Sequence, residues 1–394
     1  MAPLILLLLL AAPAFAQGRA DPARLERLLE RAVIIDLHDD TTQMIVDEGY
    51  NLGELHDYGQ VDIPRMRRGH VAGIFFSIWC DSKKQAGLPG IRRALDEIDA
   101  DKREVARHPG DIVMATTADE IVAAHQRGKI AALMGIEGGH MIDSDLAVLR
   151  TYYELGARYM TLTHFSNTPW ADSSGEKPAH NGLTDFGRQV VREMNRLGMM
   201  VDISHVSDKT FSDVIATTSA PVIASHSSCR ALCASPRDMT DDMLRALAKN
   251  GGVVHINFYE AFLDDGFRQR YQALSADMTR EGQLDKMYAS DGRRLGVEQR
   301  KLNAERIAKL GRIPLTRLLD HFEHAVKVAG VDHVGLGSDF DGSSDQFPQN
   351  IEDISKIPNL VRGLIERGFS DEDILKILGG NTLRVMREVE RERQ

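Results

Sequence analysis

The chain has 394 residues, 43% of them hydrophobic and 27% charged, with a formal net charge of −10. Length and apolar content allow a sizeable core, either as two domains or as one α/β barrel with insertions. The acidic balance argues against a nucleic-acid-binding surface and is ordinary for a soluble enzyme.

In chain order, Met1–Ala16 reads as a secretory signal peptide: Leu4 to Ala12 is an apolar core, and Ala14-Phe15-Ala16 fits a small-x-small cleavage site before Gln17. The apolar run is too short to span a bilayer comfortably, and no Lys or Arg precedes it, a departure from the usual pattern. No cysteine follows as an acceptor for a lipid, and the charged C-terminus RVMREVERERQ argues against a GPI-type tail. The expectation is an exported chain, periplasmic or secreted, without a membrane anchor, whose residues 17–394 form one domain. Cysteines are sparse, at Cys80, Cys229 and Cys233, and read as buried small residues rather than as a disulfide or thiolate site.

A short amphipathic helix starting at Asp21 precedes the first apolar run, AVIIDLHDD, which ends in His38-Asp39-Asp40. Residues two apart on an extended strand end point the same way, so His38 and Asp40 can aim at one metal with Asp39 turned aside. Asn51 to Arg68 reads as a polar loop and HVAGIFFSIWC as the second strand, followed by a loop and a helical connection to His108. Thr117 and Glu120 stand in capping-box spacing at the head of the next helix. KIAALMGIEGGH gives a third strand ending at Glu137, with glycines behind it that let backbone approach closely. ARYMTLTH is a fourth strand ending at His164, and Thr184 is the N-cap candidate of the helix that follows.

MMVDIS and PVIAS, joined by a helix with Ser207 as its N-cap candidate, are the fifth and sixth strands, ending at His205 and His226. A helix closed by Gly251-Gly252 delivers the seventh, GVVHINFYEAF. Asp264 to Gly311 is strongly polar and reads as a helical insertion over one rim. A further amphipathic helix leads to the eighth strand, HVGLGSDFDG, ending in Asp339 and Asp341, and two helices close the chain. Eight short apolar runs separated mostly by helices predict a (β/α)8 TIM-like barrel.

In such a barrel the carboxyl ends of the strands converge on one mouth. Few nitrogen and oxygen ligands can serve two ions only if one carboxylate bridges, and Glu137 is the natural bridge. His38 and Asp40 then complete one ion, His205 and His226 the other. Two divalent ions about 3.5–4 Å apart can activate a shared water near neutral pH. Two Zn2+ are the first expectation for such donors, with Mn2+, Co2+ or Fe2+ as alternatives. Asp339 is free to carry the proton of the attacking water to the leaving group. Asp341 could substitute, although Asp339 lies nearer the strand end. His164 is free to polarise a carbonyl and stabilise the oxyanion.

The motifs HxD, GIEGGH, TLTH-x-x-NTPWADS, DISHVS, ASHSS…CASPR, GSDFDG and ILGGN together resemble the membrane (renal) dipeptidase family of the amidohydrolase superfamily, from about Ala32 to Val385. The resemblance implies a binuclear zinc barrel that hydrolyses dipeptides, with metals on His38, Asp40, Glu137, His205 and His226. It implies His164 on the substrate, Asp339 as acid–base group, Arg237 on the substrate's terminal carboxylate, Tyr259 assisting it, and a homodimer. A planar guanidinium suits a bidentate carboxylate. Three departures stand out. Asp39 replaces the family's Asn between His38 and Asp40, adding negative charge beside the metals. Cys80 remains, but Ser166 stands at the position where animal members have its partner cysteine, so that disulfide is expected to be absent. The lipid-anchor signal is missing. The same barrel could serve N-acyl-amino acids, lactones or β-lactams, since fold does not fix substrate. A non-catalytic binding protein would be expected to lack a ligand or the base, and none is lacking.

Overall fold

The apolar runs become strands because both of their faces are covered. In the computed structural model, which describes residues 21–394 without the side chains of residues 275, 276 and 278, the strands β1 (Ile34–Asp39), β2 (Val71–Ile78) and β4 (Ile130–Glu137) are buried along their whole length. The expected signal segment Met1–Ala16 lies outside the described residues. Between β2 and β4 comes β3 (Ile112–Met114), and β5 (Ala157–Thr161), β6 (Met200–Asp202), β7 (Ile223–Ala224), β8 (Val253–Ile256) and β9 (Val334–Leu336) follow. All pairings are parallel. The order β2-β1-β9-β8-β7-β6-β5-β4 closes through β2–β4 into an eight-stranded barrel. The three-residue β3 lies outside this ring, paired to the start of β4 through Ile112 and Ile130. The (β/α)8 expectation therefore holds, with β3 as an addition too short to leave an apolar run in the sequence.

The helices begin where their caps predict. Thr117 and Glu120 form a reciprocal capping box, and the side chains of Thr184 and Ser207 accept from the third backbone N–H of their helices. A short helix, Thr41–Glu48, follows the HxD segment directly, and another, Ile63–Arg68, capped by Asp62 with Pro64 in its first turn, replaces the end of the expected loop Asn51–Arg68. Near the C-terminus the helical run is broken at Gly379, which packs so closely against the residue before β1 that a Cβ there would lie 2.0 Å from the Val33 carbonyl oxygen.

Asp265–Gln272, Ser275–Met287 and Gly292–Leu310 form the helical insertion between β8 and β9. It reaches the far rim, where Arg300 makes two 2.8 Å bonds to the Glu48 carboxylate and Arg293 donates to the Glu48 carbonyl at 2.7 Å. Lys84, in the loop after β2, pairs with Asp285 at 2.9 Å. Among the described residues, no helix is long and apolar enough to cross a membrane.

Candidate metal centre and substrate cavity

The strands end earlier than the site residues they carry. β5 stops at Thr161, β6 at Asp202, and β9 at Leu336, so His164, His205 and Asp339 each follow three residues later in irregular backbone. His205 (φ 67°) and Asp339 (φ 63°) are left-handed. That conformation costs a non-glycine residue about 1–2 kcal/mol. It is held in place by the converging loops and turns the side chains into the mouth.

There the imidazoles gather on the two oxygens of Glu137. Oε1 lies 3.1 Å from His205 Nε2, 3.4 Å from His226 Nε2 and 3.7 Å from His164 Nε2. Oε2 lies 3.5 Å from His38 Nε2 and takes the hydroxyl of Ser77 at 3.0 Å. His38 Nε2 is also 3.5 Å from Asp40 Oδ2. Oε1 thus faces His205, His226 and His164, and Oε2 faces His38. Asp339 groups with His38 and Asp40 and is held by Asn257 Nδ2 at 2.8 Å. Asp341 instead accepts from Thr41 Oγ1 at 2.6 Å and from the Gln60 amide at 2.7 Å. Of the two aspartates, only Asp339 joins the cluster.

The donor set fits divalent cations. His38 Nε2 is buried without a hydrogen-bond partner, and the Nε2 atoms of His205 and His226 face one another at 2.9 Å, where they can share only one proton. Burial, reinforced by surrounding positive charge including Arg237, pushes both of these imidazoles well below the ordinary histidine range. They are therefore neutral, the form a metal takes as a ligand. For Glu137, burial opposes ionisation, but His38, His164, His205 and His226 outweigh it and hold the carboxyl well below its ordinary value. Burial, with the charge of Asp40 added, raises Asp339 to about 7, and burial lowers His164 to about 4.

A cavity of about 650 Å³ opens over these groups, floored by Glu137, His205, His226 and Asp339 and roofed by Gln299, Leu302 and Asn303 of the insertion. Tyr259 and Phe262 form part of its wall. Behind that wall Arg237 is buried, donating to Ser227 Oγ at 3.2 Å and to the His226 carbonyl at 3.0 Å, with its Cζ 5.3 Å from the Phe262 ring centroid. Among the described residues it has no ion-pair partner, and its Nε is buried without an acceptor. Asp39 is buried and turned away from the cluster: one oxygen accepts the Thr41 amide at 3.1 Å, and burial together with Asp341 pushes its carboxyl well above the ordinary range. Cys80, Cys229 and Cys233 are free and buried, and Cys80 Sγ lies 3.4 Å from His140 Nε2.

Residues 22–394 match the family model described as membrane dipeptidase, peptidase family M19. The chain belongs to this family. It is 36% identical over 388 residues to an uncharacterised dipeptidase of Schizosaccharomyces pombe, covering 93% of this chain and 83% of that one. The probable dipeptidase PvdM of Pseudomonas aeruginosa superposes with a TM-score of 0.78 at 25% identity, covering 94% of this chain and 98% of that one. A metallopeptidase of Rhodobacter sphaeroides, solved with a phosphinate mimic of the dipeptide L-Ala-D-Ala, gives a TM-score of 0.75 at 25% identity, covering 91% and 99%.

Several polar groups of this dipeptidase were not singled out from the sequence. Asn257 stands one residue past β8 and could have been found as a polar side chain at a strand end. Ser77 and Tyr159 are hidden inside apolar strands. Tyr159 projects into the barrel with its hydroxyl 2.8 Å from His38 Nδ1, and it has room only because residue 135 is glycine.

Proposed function

We propose that this metallo-dipeptidase uses two divalent ions, zinc foremost, to hydrolyse the amide bond of dipeptides, including those with a C-terminal D-residue. The observation that carries the reading is the division of the Glu137 oxygens between His38 on one side and His205 and His226 on the other. His38, Asp40, Glu137, His205 and His226 would hold the ions. When bound, such ions polarise a carbonyl and make water a nucleophile near neutral pH. The remaining work falls to the chain's own groups. Asp339, oriented by Asn257, receives a proton from the attacking water and passes it to the leaving nitrogen as the carbon–nitrogen bond breaks. His164, neutral and at the mouth, donates an N–H to the carbonyl oxygen as negative charge develops there. Arg237, a buried guanidinium lacking a carboxylate partner, takes the substrate's terminal carboxylate, with Tyr259 beside it. The D-residue is included because the Rhodobacter sphaeroides relative binds a mimic of L-Ala-D-Ala.

The test is hydrolysis of a stereochemically varied dipeptide panel with and without chelator, with metal counted on the same preparation. Two metal equivalents and chelator-sensitive cleavage are expected. Two equivalents without cleavage would move the substrate to acyl-amino acids or lactones, and less than one would overturn the ligand assignment. Export rests on the Met1–Ala16 pattern, and a mature N-terminus at Gln17 is the expected result of sequencing the protein from the native host.

A further inference from the structure

Behind His226 stands a buried relay that the reaction above does not use. Ser225 Oγ lies 2.8 Å from His226 Nδ1 and donates its own proton to Asp202 Oδ2 at 2.6 Å. Asp202, fully buried at the end of β6, also accepts the amides of Ser204 at 3.0 Å and Ser225 at 2.8 Å and the hydroxyl of Thr161 at 2.5 Å. All four of these groups donate to its two oxygens. The alternative acceptor for the Ser225 proton, Ser204 Oγ, is farther away at 3.4 Å. With that proton committed to Asp202, the Ser225 oxygen can only accept from the imidazole. His226 Nδ1 must then carry the hydrogen, which leaves its Nε2 lone pair facing Glu137. His205 has no such support, because its Nδ1 is buried without a partner.

We infer that Asp202 and Ser225 are positioning residues that lock His226 in its Nδ1–H tautomer and so present Nε2 to the metal on the His205/His226 side. The inference builds on the metal reading proposed above. A ligand imidazole backed by a carboxylate through a hydroxyl is both oriented and made more basic, and losing such support typically weakens metal binding 10–100-fold.

The experiment compares wild type, Ser225→Ala and Ser225→Thr, each labelled with 15N-histidine. Two-bond proton–nitrogen correlations read the tautomer of His226 in the metal-free protein. Competition with a chromophoric chelator then reads the affinity of each zinc equivalent. Expected are the Nδ1–H tautomer in metal-free wild type and a mixed population in Ser225→Ala. That variant should also bind one zinc equivalent about 10–100-fold more weakly. Recovery of both signals is expected in Ser225→Thr, which keeps the hydroxyl. A Ser225→Ala protein that folds and retains the wild-type tautomer, or holds both zinc equivalents within twofold of wild type, overturns the inference. The two readings fail separately: wild type that takes up no zinc defeats the metal assignment, while the metal-free tautomer still decides the relay.

Discussion

Replacing Arg237 with methionine removes a buried guanidinium that lies behind the cavity wall without a carboxylate partner among the described residues, while keeping an unbranched side chain of similar length. In the free protein the substitution gives up two hydrogen bonds, to Ser227 Oγ and the His226 carbonyl. No paired carboxylate is stranded, since Arg237 has no ion-pair partner among the described residues. The loss therefore falls on the substrate. Two charge-assisted hydrogen bonds to a terminal carboxylate are worth about 1.5–3 kcal/mol each. Their removal should lower kcat/KM by about 10²–10⁴-fold, at about 1.4 kcal/mol per decade. The terminal carboxylate does not change charge during amide cleavage, so the loss should appear mainly in KM. Arg237→Lys keeps the charge without the planar fork and should fall between the two. The assay pairs a good dipeptide with the same dipeptide as its C-terminal amide. Wild type should discriminate strongly between them and Arg237→Met hardly at all, with metal content equal in both proteins. An equal loss on the dipeptide and its amide would refute the reasoning.

Asp339→Asn should keep both metal equivalents and lose about 10²–10⁴-fold in kcat, since the carboxamide cannot relay a proton; loss of one equivalent would make Asp339 a ligand instead. Chelation should lower Tm by about 5 °C for each ion removed, about 10 °C for both, taking about 4 kcal/mol for a metal held at 1,000 times its dissociation constant and the unfolding entropy of a chain this long. An unchanged Tm in calorimetry would mean that the cluster binds no metal. Gly135→Ala would set a Cβ 1.9 Å from Tyr159 Cζ inside the barrel, so a cost of about 1–3 kcal/mol is expected in denaturant unfolding; no change would mean that the ring has room to move. Glu260 is fully buried, with one oxygen on the Ile313 amide at 2.6 Å and the other without a partner, and burial raises its carboxyl to about 8. A carboxyl raised on folding favours the native state below its unfolded pKa, and that contribution is lost as pH climbs through 8. Relative to Glu260→Gln, wild type should lose up to about 5 kcal/mol between about pH 5 and about pH 9, and a stability gap that stays constant with pH would exclude this account.

The barrel was legible because its strands are apolar on both faces and punctuated by caps that act locally. What escaped the sequence was local structure too short to carry a period, such as β3 and the helix Thr41–Glu48. The endpoints of the strands also escaped it. An apolar run such as MMVDIS reads as continuous strand, yet pairing stops at Asp202 and the chain turns over the next residues, His205 itself taking the left-handed conformation that aims its ring. The metal-cluster candidates stood out because imidazoles and carboxylates are rare at the ends of apolar runs. Arg237 did not, since 48 Lys and Arg residues share its charge and no spacing marks it; only the resemblance picked it. Tyr159 and Gly135 are a pair across neighbouring strands, and only register, which one sequence does not reveal, brings ring and glycine together.

The insertion over the mouth makes peptide length a matter of headroom. Its helices are fastened at the far rim by Arg300 and Arg293 on Glu48 and by Lys84 on Asp285, so the roof carrying Gln299, Leu302 and Asn303 is pinned at both ends above the Glu137 floor. Each further residue of an extended substrate adds about 3.3–3.6 Å. On the proposed anchoring of its C-terminus at Arg237, a longer peptide would have to grow toward that ceiling. Length selection then becomes an architectural ruler, separable from the chemistry beneath it: loosening the rim fastenings would change which peptides enter without altering how any of them is cut.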